Sequence, residues 1–96
     1  MRIISGKFKG RKIKIPKNLS IRPTTNLAKE SLFNIISNNL NLEDINVLDL
    51  FSGSGMMGLE FISRGSKVTF LDHNVRCIKH ISRTLNHLKT DAKSIK

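Results

Sequence analysis

Gly53, Gly55 and Gly58 follow one another as G-x-G-x-x-G inside the stretch VLDLFSGSGMMGLEFISRG, with Asp49 four residues ahead of the first glycine and Asp72 nineteen residues beyond it. Glycines at a strand-to-helix junction carry no side chain, reach positive φ cheaply and leave the N–H groups that open a helix free for an anionic or polar group. An acid about twenty residues further on, at the end of the next strand, is placed to accept both ribose hydroxyls of an adenosine. That chemistry suits NAD and suits S-adenosylmethionine equally. Asp49 separates them, because a carboxylate beside the loop repels a pyrophosphate and attracts the ammonium at the methionine end of the sulfonium cofactor. With no ligand, Asp49 reads as a strand acid bonded to backbone N–H groups and Asp72 as a helix cap.

Other reactive residue types point to less. His73, His80 and His87 recur every seven residues, but His73 precedes the expected helix and no acid or cysteine joins them, so the spacing predicts no metal site. Cys77 is the only cysteine, which excludes an internal disulfide and fits a reducing compartment; it reads as a packed or half-buried thiol. Met56 and Met57 read as helix packing residues.

The elements that must position the loop are legible from periodicity. Val47, Leu48, Leu50 and Phe51 form a short apolar run interrupted by Asp49, which predicts a strand covered on both faces of a parallel sheet. A helix follows the glycines to about Arg64, carrying Met57, Leu59, Phe61 and Ile62 and ended by Gly65. Residues 67–72 (KVTFLD) make the next strand, and residues 74–88 place Val75, Ile78, Ile81, Leu85 and Leu88 at helical intervals. The order β-α-β-α predicts a parallel sheet with right-handed crossovers. After Lys89 the chain leads toward a strand that it is not expected to supply.

Upstream, residues 2–15 (RIISGKFKGRKIKI) are punctuated by Gly6 and Gly10 and set Ile13 and Ile15 opposite Lys12 and Lys14, predicting a small β-hairpin with a cationic face. Residues 16–25 run as a loop, with Arg22 held away from helical geometry by Pro23. A helix is expected over residues 26–38, capped by Thr25 or Thr24, with Ala28, Leu32, Ile35 and Ile36 packing and Lys29 and Glu30 nearer solvent. Residues 37–46 are a polar connection. The chain is thus divided into a basic arm and loop (1–25), a helix and linker (26–45) and the first β-α-β-α part of a cofactor-binding domain (46–96).

Charge adds a partner. The 96 residues carry a formal +10, and it is unevenly placed: residues 1–30 hold nine Lys/Arg and one acid, whereas residues 31–96 hold eight Lys/Arg and six acids. Such a cluster is rewarded by nucleic-acid phosphates through counterion release; a solubilising terminus, an interfacial basic patch or a composition drifting toward Lys, Asn and Ile are the alternative readings. No apolar run is long enough to span a bilayer and no secretory signal opens the chain, so a cytoplasmic protein without a membrane partner is expected.

Three separated segments, MRIISGKFKGRKI, RPTTNLAKESLFNII and VLDLFSGSGMMGLEFISRGSKVTFLD, together resemble the RsmD-type small-subunit ribosomal RNA guanine N2-methyltransferases. The resemblance implies an α/β, Rossmann-like class I S-adenosylmethionine-dependent methyltransferase fold, incomplete here and preceded by the basic hairpin and helix. It implies that Asp49, Ser52, Gly53, Ser54 and Gly55 line the methionine side of the cofactor, with Asp72 on the ribose. Arg22, Pro23, Thr24 and Thr25 would close near cofactor and target base, and Arg22 and Thr24 are counted with the cofactor site. Arg2, Lys7, Lys9, Arg11, Lys12, Lys14 and Arg22 would contact 16S rRNA or the small ribosomal subunit.

The chain departs from the family where Ser5 replaces a usual Gly, Ser52 a usual Ala, Asn74 an acid and Lys29 an arginine. The Asn/Asp-Pro-Pro-aromatic segment that holds the target amine is absent, since Pro16 and Pro23 are the only prolines, so no catalytic residue is assigned. The expectation is an N-terminal portion of the enzyme, inactive and prone to self-association alone. The alternatives are a noncatalytic RNA-binding fragment and an NAD-binding oxidoreductase fragment.

Overall fold

The computed structural model describes residues 2–16, 25–50, 52–88 and 93–95. In chain order they contain α1 (Asn26–Asn39), β1 (Asn46–Leu50), α2 (Met56–Ser63), β2 (Lys67–Leu71), α3 (Val75–Leu88) and β3 (Lys93–Ile95). β1 and β2 are parallel, with Val47 opposite Val68 and Asp49 opposite Phe70, and β3 runs parallel to β2 on its other side. The third strand corrects the expectation that none would be supplied. Three residues suffice because the edge of β2 already offers a row of unpaired N–H and C=O groups.

Met56, Leu59 and Ile62 of α2 and Ile81, Leu85 and Leu88 of α3 close over Val68 and Phe70 in one core. The opposite face of β1 is open: Leu48 and Leu50 are 60% and 53% exposed. β1 is therefore not covered on both faces as its unbroken apolar run suggested. Strand alternation turns Leu48 and Leu50 away from the side where α2 packs, and no described element lies over them.

Thr25 caps α1 by accepting the Ala28 N–H at 3.1 Å, but the helix packs by a different face from the one its apolar residues predict. Lys29 and Phe33 are buried, whereas Leu27, Leu32 and Ile35 are exposed. The cause is Glu60, a carboxylate inside the otherwise apolar α2. Its Oε2 is 2.9 Å from Lys29 Nζ and its Oε1 is 2.7 Å from Arg64, with Lys29 and Glu60 side chains both fully buried. A buried carboxylate demands a cation, and the lysine stem buries its own methylenes on the way. Phe33 completes the contact, edge-on to Phe61 at 4.8 Å and beneath the Arg64 guanidinium at 4.2 Å.

The basic arm is fastened to the same place. Lys29 Nζ also donates to Arg2 O, and the Ile4 N–H donates to the Glu60 carboxylate at 3.1 Å. Lys7 N–H donates to Ser63 O and Phe8 N–H to Ser63 Oγ. Gly6, at φ +88°, passes so close that a Cβ there would lie 2.0 Å from Ser63 O, and only glycine fits. The expected hairpin is reduced to one antiparallel bridge, Arg2 with Lys12, because turns around Gly6 and Gly10 fold the arm back before a longer ladder forms. Ile3, Phe8 and Ile13 belong to the main core, leaving the arm's cations outside.

Candidate functional site

β1 and β2 end side by side, and their carboxyl ends carry the groups that face the glycine turn. Ser52 pins the two ends together: its hydroxyl lies 2.7 Å from Asp49 O and accepts the Leu71 N–H at 3.1 Å. The Ser52 side chain is thus occupied by the strand junction. Gly55 N–H donates to Ser52 O, and Gly55, at φ 82°, is the N-cap of α2. Glycine supplies no side-chain cap, so the N-cap residue leaves the opening N–H groups of α2 to other partners, and the Gly58 N–H meets the Asp49 carboxylate.

Asp49 faces this helix start. Its Oδ2 is buried and has no hydrogen-bond partner. Burial pushes its carboxyl above the usual carboxylate range; the Gly58 backbone N–H draws it back in part, and the charge of Asp72 pushes it further up. A Cβ on Gly58 would lie 2.1 Å from the Phe70 ring and 2.9 Å from Asp49 Oδ2. That glycine lets α2 lie against β2 and keeps the space beside the carboxylate open.

Asp72 is buried and held from both sides, accepting Gly53 N–H on Oδ2 at 2.9 Å and Asn74 N–H on Oδ1 at 2.8 Å. Burial works to raise its pKa, but these two N–H groups and the nearby His73 prevail and hold it below the usual range. It remains an anion with lone pairs to spare, since a carboxylate accepts about four hydrogen bonds. Asn74, where an acid was expected, accepts the Arg76 N–H at 2.9 Å at the start of α3. The helix-capping task therefore falls to Asn74 and leaves Asp72 fixed against the glycine turn.

Ser54 and Gly55 are buried in the turn, and His80 of α3 abuts the Ser54 backbone. His80 was legible only as one of three spaced histidines. It lies beside the apolar stripe of α3, with Nε2 buried and unpartnered; burial, then the neighbouring Arg83, hold it below the usual imidazole range. Cys77 is buried, and burial together with Asp72 pushes its thiol up, away from thiolate reactivity. Among the described residues no three His, Cys, Asp or Glu side chains gather as a metal site.

Arg22 and Thr24 lie outside the described residues. The remaining cations expected to meet RNA, Arg2, Lys7, Lys9, Arg11, Lys12 and Lys14, are all exposed on the arm. Sequence reasoning missed the Lys29–Glu60–Arg64 cluster that fixes the arm beside the turn. A lone glutamate in MMGLEFIS, four residues before an arginine, was the available signal.

The whole chain, residues 1–96, matches the family described as conserved hypothetical protein 95. It is 41% identical over 90 residues to YlbH of Bacillus subtilis, an alignment covering 93% of this chain and 48% of that protein. It is 48% identical over 64 residues to the ribosomal RNA small subunit methyltransferase D of Buchnera aphidicola, covering 67% of this chain and 32% of that protein. The solved structure of yhhF from Escherichia coli superposes with a TM-score of 0.84 at 31% identity, covering 99% of this chain and 51% of that one. The chain spans about a third to a half of the length of these curated relatives.

Proposed function

As the chain belongs to the conserved hypothetical protein 95 family, which is the family of RsmD-type methyltransferases, we propose that it forms the cofactor-binding and RNA-docking part of an S-adenosylmethionine-dependent enzyme that methylates a guanine N2 amine in small-subunit rRNA. The activity, its substrate and a cytoplasmic site of action belong to this reading as a whole. Among the described residues no helix is long and apolar enough to cross a membrane.

One observation carries the proposal: the buried, unpartnered Oδ2 of Asp49 beside a helix start whose N-cap is a glycine with no capping side chain. A half-buried carboxylate with an orphaned oxygen is costly unless a donor or cation meets it. The ammonium of S-adenosylmethionine is such a group. The pyrophosphate of NAD is not, because Asp49 and Asp72 already repel each other across the turn. When bound, the sulfonium supplies a methyl group already activated by positive charge.

The chain's own residues bind and orient. Asp49 holds the amino-acid end, and the backbone of residues 53–55 approaches closely because two of those three residues lack side chains. Asp72, fixed by Gly53 and Asn74, accepts the ribose hydroxyls. Arg22 and Thr24 join the cofactor site in this reading, and the arm's cations hold the RNA so that an unpaired guanine can be brought to the methyl group.

Calorimetric titration with S-adenosylhomocysteine and with NAD tests the reading. The homocysteine compound is expected to bind the wild type and to lose at least about tenfold in affinity with Asp49→Asn, equivalent to about 1.4 kcal/mol. Binding of NAD in its place, or an Asp49→Asn chain that binds as well as the wild type, overturns it. Methyl transfer to unmethylated small subunits is the assay for the complete enzyme.

A further inference from the structure

The cationic arm does not stand alone. α3 carries Arg76, Lys79 and Arg83, and no acidic residue occurs anywhere in residues 73–90. Between α3 and the arm runs a groove of about 500 Å³, with Lys12 and Lys14 on one lip, Arg83 and His87 on the other and His80 in its lining. Lys12, Lys14, Arg83 and His87 are exposed, and among the described residues none of them is paired with an acid. Among the described residues no acid lines the groove. Sequence position had assigned the charge excess to the arm; folding brings Arg83 and His87 of α3, more than sixty residues away in the chain, to face it.

We propose that this groove is a docking track for the phosphate backbone of the RNA substrate, shared between the arm and α3, with Arg83 and His87 as contacts alongside Lys12 and Lys14. The inference rests on the RNA reading above and adds to it a surface on the cofactor domain itself. Opposed cations along an open channel match a strand that carries one charge per nucleotide. A lipid surface fits less well. A helix lying on a membrane needs a free apolar face, and that of α3 is consumed by Cys77, Ile81, Leu85 and Leu88 in the interior. The groove also reaches the cofactor turn, since His80 touches both the groove and the Ser54 backbone.

The test is fluorescence anisotropy with a labelled RNA hairpin of small-subunit rRNA sequence, across a series of KCl concentrations. Arg83→Gln and the double variant Lys12→Gln/Lys14→Gln are compared with Lys67→Gln, which removes an exposed cation outside the groove. Each groove cation removed is expected to lower the slope of log affinity against log salt by about 0.7–0.9, while Lys67→Gln leaves it unchanged. S-adenosylhomocysteine affinity, measured alongside, should stay at the wild-type value in all three. A salt slope for Arg83→Gln equal to that of Lys67→Gln overturns the groove assignment, even where cofactor binding is intact. So does loss of binding to phosphatidylserine vesicles in Arg83→Gln with RNA binding unaltered, which identifies a membrane as the partner. Loss of cofactor binding by the wild type would sink the proposed function without touching the RNA result.

Discussion

At the scale of single residues, the two acids of the turn respond to pH in opposite directions. The folded-state pKa of Asp49 is raised, so folding favours its protonated form and stability falls as pH rises from the ordinary value of about 3.9 through the folded one. The folded-state pKa of Asp72 is lowered, so its contribution is complete above about 3.9 and is lost as pH falls toward the folded value. Thermal unfolding of the ligand-free chain between mildly acidic and neutral pH should therefore show Asp49→Asn melting higher than wild type near pH 7. Asp72→Asn should melt lower there, with a flatter dependence on the acid side. An Asp49→Asn chain that melts below wild type at neutral pH would mean that the carboxylate has partners enough without a ligand. Glycine spacing and the flanking acids made this pair legible in the sequence. The buried state of Asp49 Oδ2 was not, because it depends on Gly58 of α2 packing down onto Phe70 of β2.

Among the elements, α1 teaches most about where periodicity stops being a guide. Helix limits and cap were readable, from Thr25 and from the apolar spacing, but the buried face was not. Apolar periodicity assumes that burial follows hydrophobicity, and here a buried glutamate from a helix about thirty residues downstream selects the face that bears Lys29. Removing one member of such a pair leaves an uncompensated buried charge, at a cost of about 3–5 kcal/mol. Glu60→Gln should show that loss in urea unfolding. Lys29→Met combined with Glu60→Gln should recover part of it, because the stranded ammonium is gone. A Glu60→Gln chain within about 1 kcal/mol of wild type would show that the cluster is not what fixes α1. Gly6→Ala tests the arm's attachment separately. Backbone strain alone costs about 1–3 kcal/mol, and the clash with Ser63 O adds to it. Amide exchange should then rise in residues 3–11 more than in β2.

The whole molecule presents apolar surface on two sides: Leu48 and Leu50 on the sheet, and Leu27, Leu32 and Ile35 on α1. Among the described residues nothing pairs with the outer edge of β1. Surfaces of this kind associate, so sedimentation of the 96-residue chain should show self-association that grows with concentration. Leu48→Lys/Leu50→Lys should reduce it without lowering the unfolding midpoint, both positions being more than half exposed. A wild-type chain that stays monomeric at high micromolar concentration would contradict this. The parallel α/β class and the right order of elements were readable at this scale; the open face of β1 was not, since a continuous apolar run looks the same whether or not a second layer covers it. The fastening of the arm has a temporal meaning as well. Ile4 waits for a carboxylate 56 positions later, which at translation rates of 5–20 residues per second is a delay of about 3–11 seconds. Throughout that interval residues 2–14 form a polycation without their seat, made beside a particle that is largely RNA, and α2 must compete with that surface for them.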